Sequence, residues 1–173
     1  MAVSSKVRVI PLAVVLVLAL AASSDLIAVT PSEARSLRGL SGVEVVIETL
    51  PDELRSAGLN ADQLQADVQS HLRANQIRVL TSEDTAPGRP WLYLRLSVLK
   101  SSSVPLVSFY VGAQLRQDVT LERNPDFHLA ATTWDAGAAG LAGTSALADA
   151  VRETVQSLAE RFASEFQAVN PGR

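Results

Sequence analysis

Trp-Leu-Tyr-Leu-Arg-Leu-Ser-Val-Leu-Lys, residues 91–100, places an aliphatic side chain at every second position from Leu92 to Val98. Leu92, Leu94, Leu96 and Val98 fall on one side of an extended chain, and Trp91, Tyr93, Arg95 and Ser97 on the other. After an interruption at 101–105, which ends in Pro105, the pattern resumes. Phe109, Val111, Ala113, Leu115, Val119 and Leu121 share a face with only Gln117 among them. Ser108, Tyr110, Gln114, Arg116, Asp118, Thr120 and Glu122 share the other. A period of two over this length marks antiparallel strands with one buried and one wet face. The two runs therefore predict a long hairpin with helices on its apolar side.

Upstream, Val43, Val45 and Ile47 alternate with Glu44 and Glu48, which predicts a first strand ended by Pro51. Residues 52–57 fit one helical turn closed by Gly58. A longer helix should begin at Asn60, a good N-cap, with Gln63 at N3 and Leu59 and Leu64 placed as a hydrophobic staple. Its face is Leu64, Val68, His71 and Leu72, and Asn75 can take the left-handed conformation that ends it. Residues 77–80 then read as a short strand, completing a βαβ unit. A polar loop over 81–90 carries Pro87, Gly88 and Pro90 as breakers.

Downstream, Asn124-Pro125-Asp126 reads as a turn and 128–136 as a further strand. The glycines at 137, 140 and 143 read as a flexible link, with Thr144 or Ser145 capping the last helix. From about 146 to 169, Leu147, Val151, Val155, Leu158, Phe162, Phe166 and Val169 recur at three- and four-residue steps, the mark of an amphipathic helix, and Asn170-Pro171-Gly172 stops it. The expected order is β-α-β-β-β-β-α: an α+β, two-layer sandwich, one mixed sheet with two main helices on one face.

The amino terminus reads differently. Lys6 and Arg8 precede a run over 9–22 that is apolar apart from Pro11, and small residues come after it. That is the pattern of a cleaved secretory signal. A membrane span needs about 20 apolar residues and this run is shorter, although Leu26 to Val29 would lengthen an uncleaved anchor. The chain thus divides into a signal peptide (1–28), a linker (29–41), one α+β domain (42–170) and a tail (171–173), with export to the periplasm or the extracellular space. Contact with a membrane is expected only in transit, unless the signal is retained. The absence of cysteine excludes both disulfides and a lipid anchor on cysteine. Without Lys6 and Arg8 the balance is 13 basic against 18 acidic residues, a formal charge of −5, which gives nucleic acid no counterion-release attraction.

No catalytic constellation emerges. The two histidines, His71 and His128, stand in different elements, and neither follows a G-x-S-x-G elbow. His71 reads as a packing residue and His128 as exposed. Glu44 and Glu48 share a strand side and read as a solvated face. Trp134 and Asp135 beside Gly137, Gly140 and Gly143 form a candidate loop site, but the run lacks the lysine of a phosphate-binding loop. No cofactor and no metal is expected. The candidate interaction face is Tyr93, Arg95, Tyr110, Gln114 and Arg116 on the wet side of the hairpin, rich in residues that anchor interfaces.

Leu40-Ser-Gly-Val-Glu-Val-Val, the helix leading into Ile77-Arg-Val-Leu80, Gln117-Asp-Val-Thr-Leu-Glu-Arg123, Thr133-Trp134 and the closing Val169-Asn170-Pro171 resemble a family of exported bacterial proteins of unknown function. The element order is also similar to that of the amino-terminal domain of TolB and of penicillin-binding-protein activators. These resemblances imply an envelope location and no assigned chemistry. The sequence as a whole points to an exported, non-enzymatic domain that binds an envelope protein or a second copy of itself. Two alternatives stand beside it: a module holding a lipid or other apolar ligand between sheet and helices, and a secreted hydrolase.

Overall fold

A computed structural model describes residues 31–172; the expected signal segment lies outside them. Eight elements occur in order: α1 (Pro31–Arg35), β1 (Glu44–Ile47), α2 (Asp52–Ser56), α3 (Ala61–Ala74), β2 (Trp91–Lys100), β3 (Leu106–Leu121), β4 (Asn124–Gly143) and α4 (Leu147–Val169). The strands form one mixed sheet in the order β1-β2-β3-β4, with β1 parallel to β2 and the others antiparallel. The α+β fold with a single sheet and helices on one face is as the periodicity predicts.

The alternation sets the faces. Leu92, Leu94 and Leu96 of β2, with Val107, Phe109, Val111, Ala113 and Leu115 of β3, are buried in one core with Leu64, Val68 and Leu72 of α3. From α4 come Leu147, Val151, Val155, Leu158, Phe162 and Phe166. Burying six such side chains contributes on the order of 10–20 kcal/mol before chain entropy opposes it. The start of α3 is half of the expected capping box: Asn60 Oδ1 accepts from Gln63 N at 3.1 Å, while the Gln63 amide turns to Asp67. At its end the left-handed residue is Gln76 (φ 61°), not Asn75. Asn75 keeps a helical-side φ and its side-chain amide donates to His71 O at 3.0 Å, which makes the flip fall one residue later.

Several sequence expectations are corrected. The strand expected over 77–80 shrinks to one parallel bridge, Val43 with Val79, held by Val43 N to Arg78 O and Leu80 N to Val43 O. The hairpin turn falls at Glu122 and Arg123, because Leu121 pairs with Asn124; the residues read as a turn start β4, and Pro125 to Phe127 bulge out before Thr120 meets His128. The stretch read as a linker is packed where it is described: Leu37 and Leu40 are buried, and Ser36 Oγ donates to Thr133 O at 2.9 Å. Asn170 ties this segment to the end of α4, accepting from Gly39 N at 2.8 Å and donating to Leu37 O at 3.0 Å.

The largest correction concerns the glycine-rich run. It is not a flexible link but the second half of β4, paired along its length with β3: Gly137 with Gly112, Gly140 with Phe109, Gly143 with Leu106. Glycine disfavours a strand for want of a side chain to pack. Here neighbours fill the space. A Cβ at Gly137 would lie 2.7 Å from Tyr110 Cζ, and one at Gly140 2.8 Å from Phe109 Cε1. Each glycine is the floor under an aromatic ring from the adjacent strand. Neither Thr144 nor Ser145 caps α4; its N-cap position is Ala146, which makes no side-chain cap bond.

Candidate functional site

Cross-strand pairing carries the wet side of the hairpin into one surface. Trp91 stands opposite Arg116, Tyr93 opposite Gln114, Arg95 opposite Gly112, and Ser97 opposite Tyr110. Parallel pairing adds Glu44 beside Trp91 and Val46 beside Tyr93, with Glu48 next on the same side of the chain. On the far side β4 supplies Asp135 opposite Gln114 and Gly137 opposite Gly112. Directly paired residues share a sheet face. All five residues of the predicted interaction face, Tyr93, Arg95, Tyr110, Gln114 and Arg116, therefore lie together, opposite the helices. No described element covers them.

Two clusters organise the surface. In the first, the Arg116 guanidinium lies 5.6 Å from the Trp91 ring centroid and 5.8 Å from that of Tyr93. Both distances are within cation–π range, so the cation is held by two rings rather than by a carboxylate. Burial of the ring, and then the adjacent Glu48 carboxylate, raise the Tyr93 phenol above its usual range. In the second, the Tyr110 ring lies in the trough over Gly112 and Gly137. Burial and then Asp135 raise its phenol too, while Arg95 pulls the other way. One oxygen of each carboxylate, Glu48 Oε2 and Asp135 Oδ1, is enclosed without a hydrogen-bond partner among the described residues. Beyond these clusters the face turns apolar: Leu99 and Leu141 flank Ser108 and are 74% and 64% exposed.

The candidate loop site does not assemble. Its residues sit within β4 and point to opposite sides of the sheet. Trp134 is wholly buried, edge-on to Phe162 with centroids 5.1 Å apart, and its indole N–H donates to Glu165 Oε2 at 2.7 Å. Arg161 Nε in turn donates to Glu165 Oε1 at 3.0 Å. This is packing chemistry. Asp135 joins the open face, Gly137 and Gly140 seat rings, and Gly143 has open space where a Cβ would go.

Elsewhere the titratable groups serve structure. His71 Nε2 faces Glu160 Oε2 at 2.8 Å across the crease between α3 and α4, and His128 Nδ1 meets Thr120 Oγ1 at 3.0 Å near the hairpin tip. That crease is a groove of about 880 Å³ lined by polar groups including Asp67, Ser70, Glu153 and Gln156. Asp84 closes a turn: hydrogen bonds from the Thr81 backbone and hydroxyl, with Arg78 alongside, hold its carboxyl below the usual range. No group of three or more metal-ligating side chains occurs among the described residues, and no described helix is long and apolar enough to cross a membrane. No family model matches the chain, and no curated protein is significantly similar to it.

Proposed function

We propose that this chain is an exported, non-enzymatic module of the bacterial envelope that acts by binding, with the uncovered face of its sheet as the docking surface for an envelope protein. The observation that supports this reading is the ordered Trp91–Arg116–Tyr93 stack beside Tyr110, Arg95 and Asp135 on a face that no described element covers. An arginine already held between two rings loses less side-chain freedom when a partner arrives, and aromatic and arginine anchors dominate interface energetics. The exposed Leu99 and Leu141 continue the surface as an apolar margin.

The test is capture from the native envelope fraction by the wild-type chain and by an Arg95→Ala, Arg116→Ala double variant. Arg95 is exposed and Arg116 half-exposed, so both can be removed without opening the core. Tyr110 is a poorer target, because its ring is packed over Gly112 and Gly137. Loss of the captured partner with an unchanged circular dichroism spectrum is the expected result. Capture equal to wild type would reject the face as the docking surface.

A further inference from the structure

The two edges of the sheet are treated differently. The outer side of β1 is closed: Val43 bridges to Val79, and the Gln65 amide donates to Val45 O at 3.0 Å. On β4, the Thr133 carbonyl is met by Ser36 Oγ. From Asp135 to Ala142 the outer backbone of β4 has no backbone partner among the described residues, all its pairing being with β3; at the end of the strand the Gly143 carbonyl accepts from Ala146 N at 2.9 Å. Proteins usually blunt such an edge with charges, prolines or bulges. Residues 136–143, Ala-Gly-Ala-Ala-Gly-Leu-Ala-Gly, contain no charge and no proline, and the one bulge near this half of the strand lies earlier, at the Leu115/Arg116 step.

We infer that this bare edge is a dimer interface: β4 pairs antiparallel with β4 of a second copy about a twofold axis near Ala139, joining two four-stranded sheets into one of eight strands. Three features choose a second copy over another occupant. The run of small side chains matches itself, so two identical edges approach without steric conflict. A twofold axis at Ala139 sets Leu141, 64% exposed, opposite Gly137 of the other copy, where the trough beside the Tyr110 ring offers it apolar cover. Pairing through β4 also closes the assembly at two, because the outer edges left over are the β1 edges that Val79 and Gln65 already cap. About seven residues per copy, roughly 24 Å of strand, pair in this way. Only the Leu141 margin of the open sheet face is taken up and the Trp91–Arg116–Tyr93 cluster stays free, so this inference does not rest on that face having a partner.

Light scattering and sedimentation equilibrium on the purified full chain test it. Wild type should run as a dimer at micromolar concentration. Ala139→Lys with Leu141→Lys places like charges against each other across the axis at two exposed positions, and should raise the dimer Kd by at least about tenfold. Ser97→Lys, which charges the open face on an inner strand, should leave the dimer intact. The chain has no cysteine, so Ala139→Cys supplies a single thiol. Facing strand residues sit about 4.5–5.5 Å apart at Cα, within disulfide reach, and mild oxidation should link the two copies. A monomeric wild type, whether because residues 1–30 or a foreign strand occupies the edge, overturns the inference. So does a dimer that the double lysine variant leaves untouched, or one broken by Ser97→Lys alone.

Discussion

Replacing Gly137 and Gly143 with alanine, one at a time, separates a paired strand from a flexible link. At Gly137 the new Cβ would fall 2.7 Å from Cζ and 2.9 Å from Cε2 of Tyr110, where ordinary contact begins at about 3.4 Å. The ring must lift from its trough, and overpacking of this kind costs about 1–3 kcal/mol. Alanine recovers about 0.5–1 kcal/mol by restricting the unfolded chain. Gly137→Ala should therefore be net destabilising, by up to roughly 2.5 kcal/mol. Gly143 has nothing within 4 Å of its Cβ position and no left-handed backbone. Gly143→Ala should be neutral or stabilise by about 0.5 kcal/mol. Urea unfolding followed by fluorescence of the buried Trp134 measures both. In a Tyr110→Ala background the Gly137→Ala cost should disappear, since no ring remains to displace. Equal effects of the two single variants, or an undiminished cost without Tyr110, would refute the seating of that ring on the glycine floor.

The same geometry has other consequences. Tyr93 and Tyr110 are the only tyrosines, and both phenols are raised, so spectrophotometric titration of the native protein should show tyrosinate forming at higher pH than in the unfolded chain, where it forms around pH 10. The sign for stability is fixed by the same shift. The unfolded chain loses these protons first, so their contribution is whole below about pH 10 and is lost as pH climbs through the folded values. Gly137→Ala should lower the Tyr110 value alone, because its ring is driven into water. Glu165→Ala strands the buried Trp134 N–H and should cost about 1–3 kcal/mol, whereas Glu160→Ala on the exposed side of α4 should stay within about 0.5 kcal/mol; chemical denaturation compares them.

Much of the fold was legible because periodicity is a local property. The alternation at 91–100 and 108–122 reports which side of each strand is wet, and cross-strand pairing then gathers Tyr93, Arg95, Tyr110, Gln114 and Arg116 without further information. The apolar stripe of α4 is equally local. The glycine run was not legible, because the reason it can be a strand lies in the rings of Phe109 and Tyr110 on another strand. One signal was available: Gly112 interrupts an otherwise bulky strand two residues after Tyr110, which is where a ring lying along the sheet needs floor space. Leu37 and Leu40 were hidden by polar neighbours, and their burial depends on Asn170, more than a hundred residues away. The arginine stack likewise needs the register of β2 on β3 to place Arg116 beside Trp91 and Tyr93.

The division of the sheet into one covered and one bare side is open to direct measurement, because a chain without cysteine accepts single reporter thiols. Ser97→Cys and Leu99→Cys lie on the side away from the helices, and Ala113→Cys and Ala136→Cys on the side beneath them. Under native, reducing conditions a bulky maleimide should modify the first pair at rates near those of the unfolded chain and leave the second pair protected until global unfolding. Comparable rates at all four positions, or protection of Ser97→Cys and Leu99→Cys together, would contradict a sheet with helices on one face and an uncovered surface on the other.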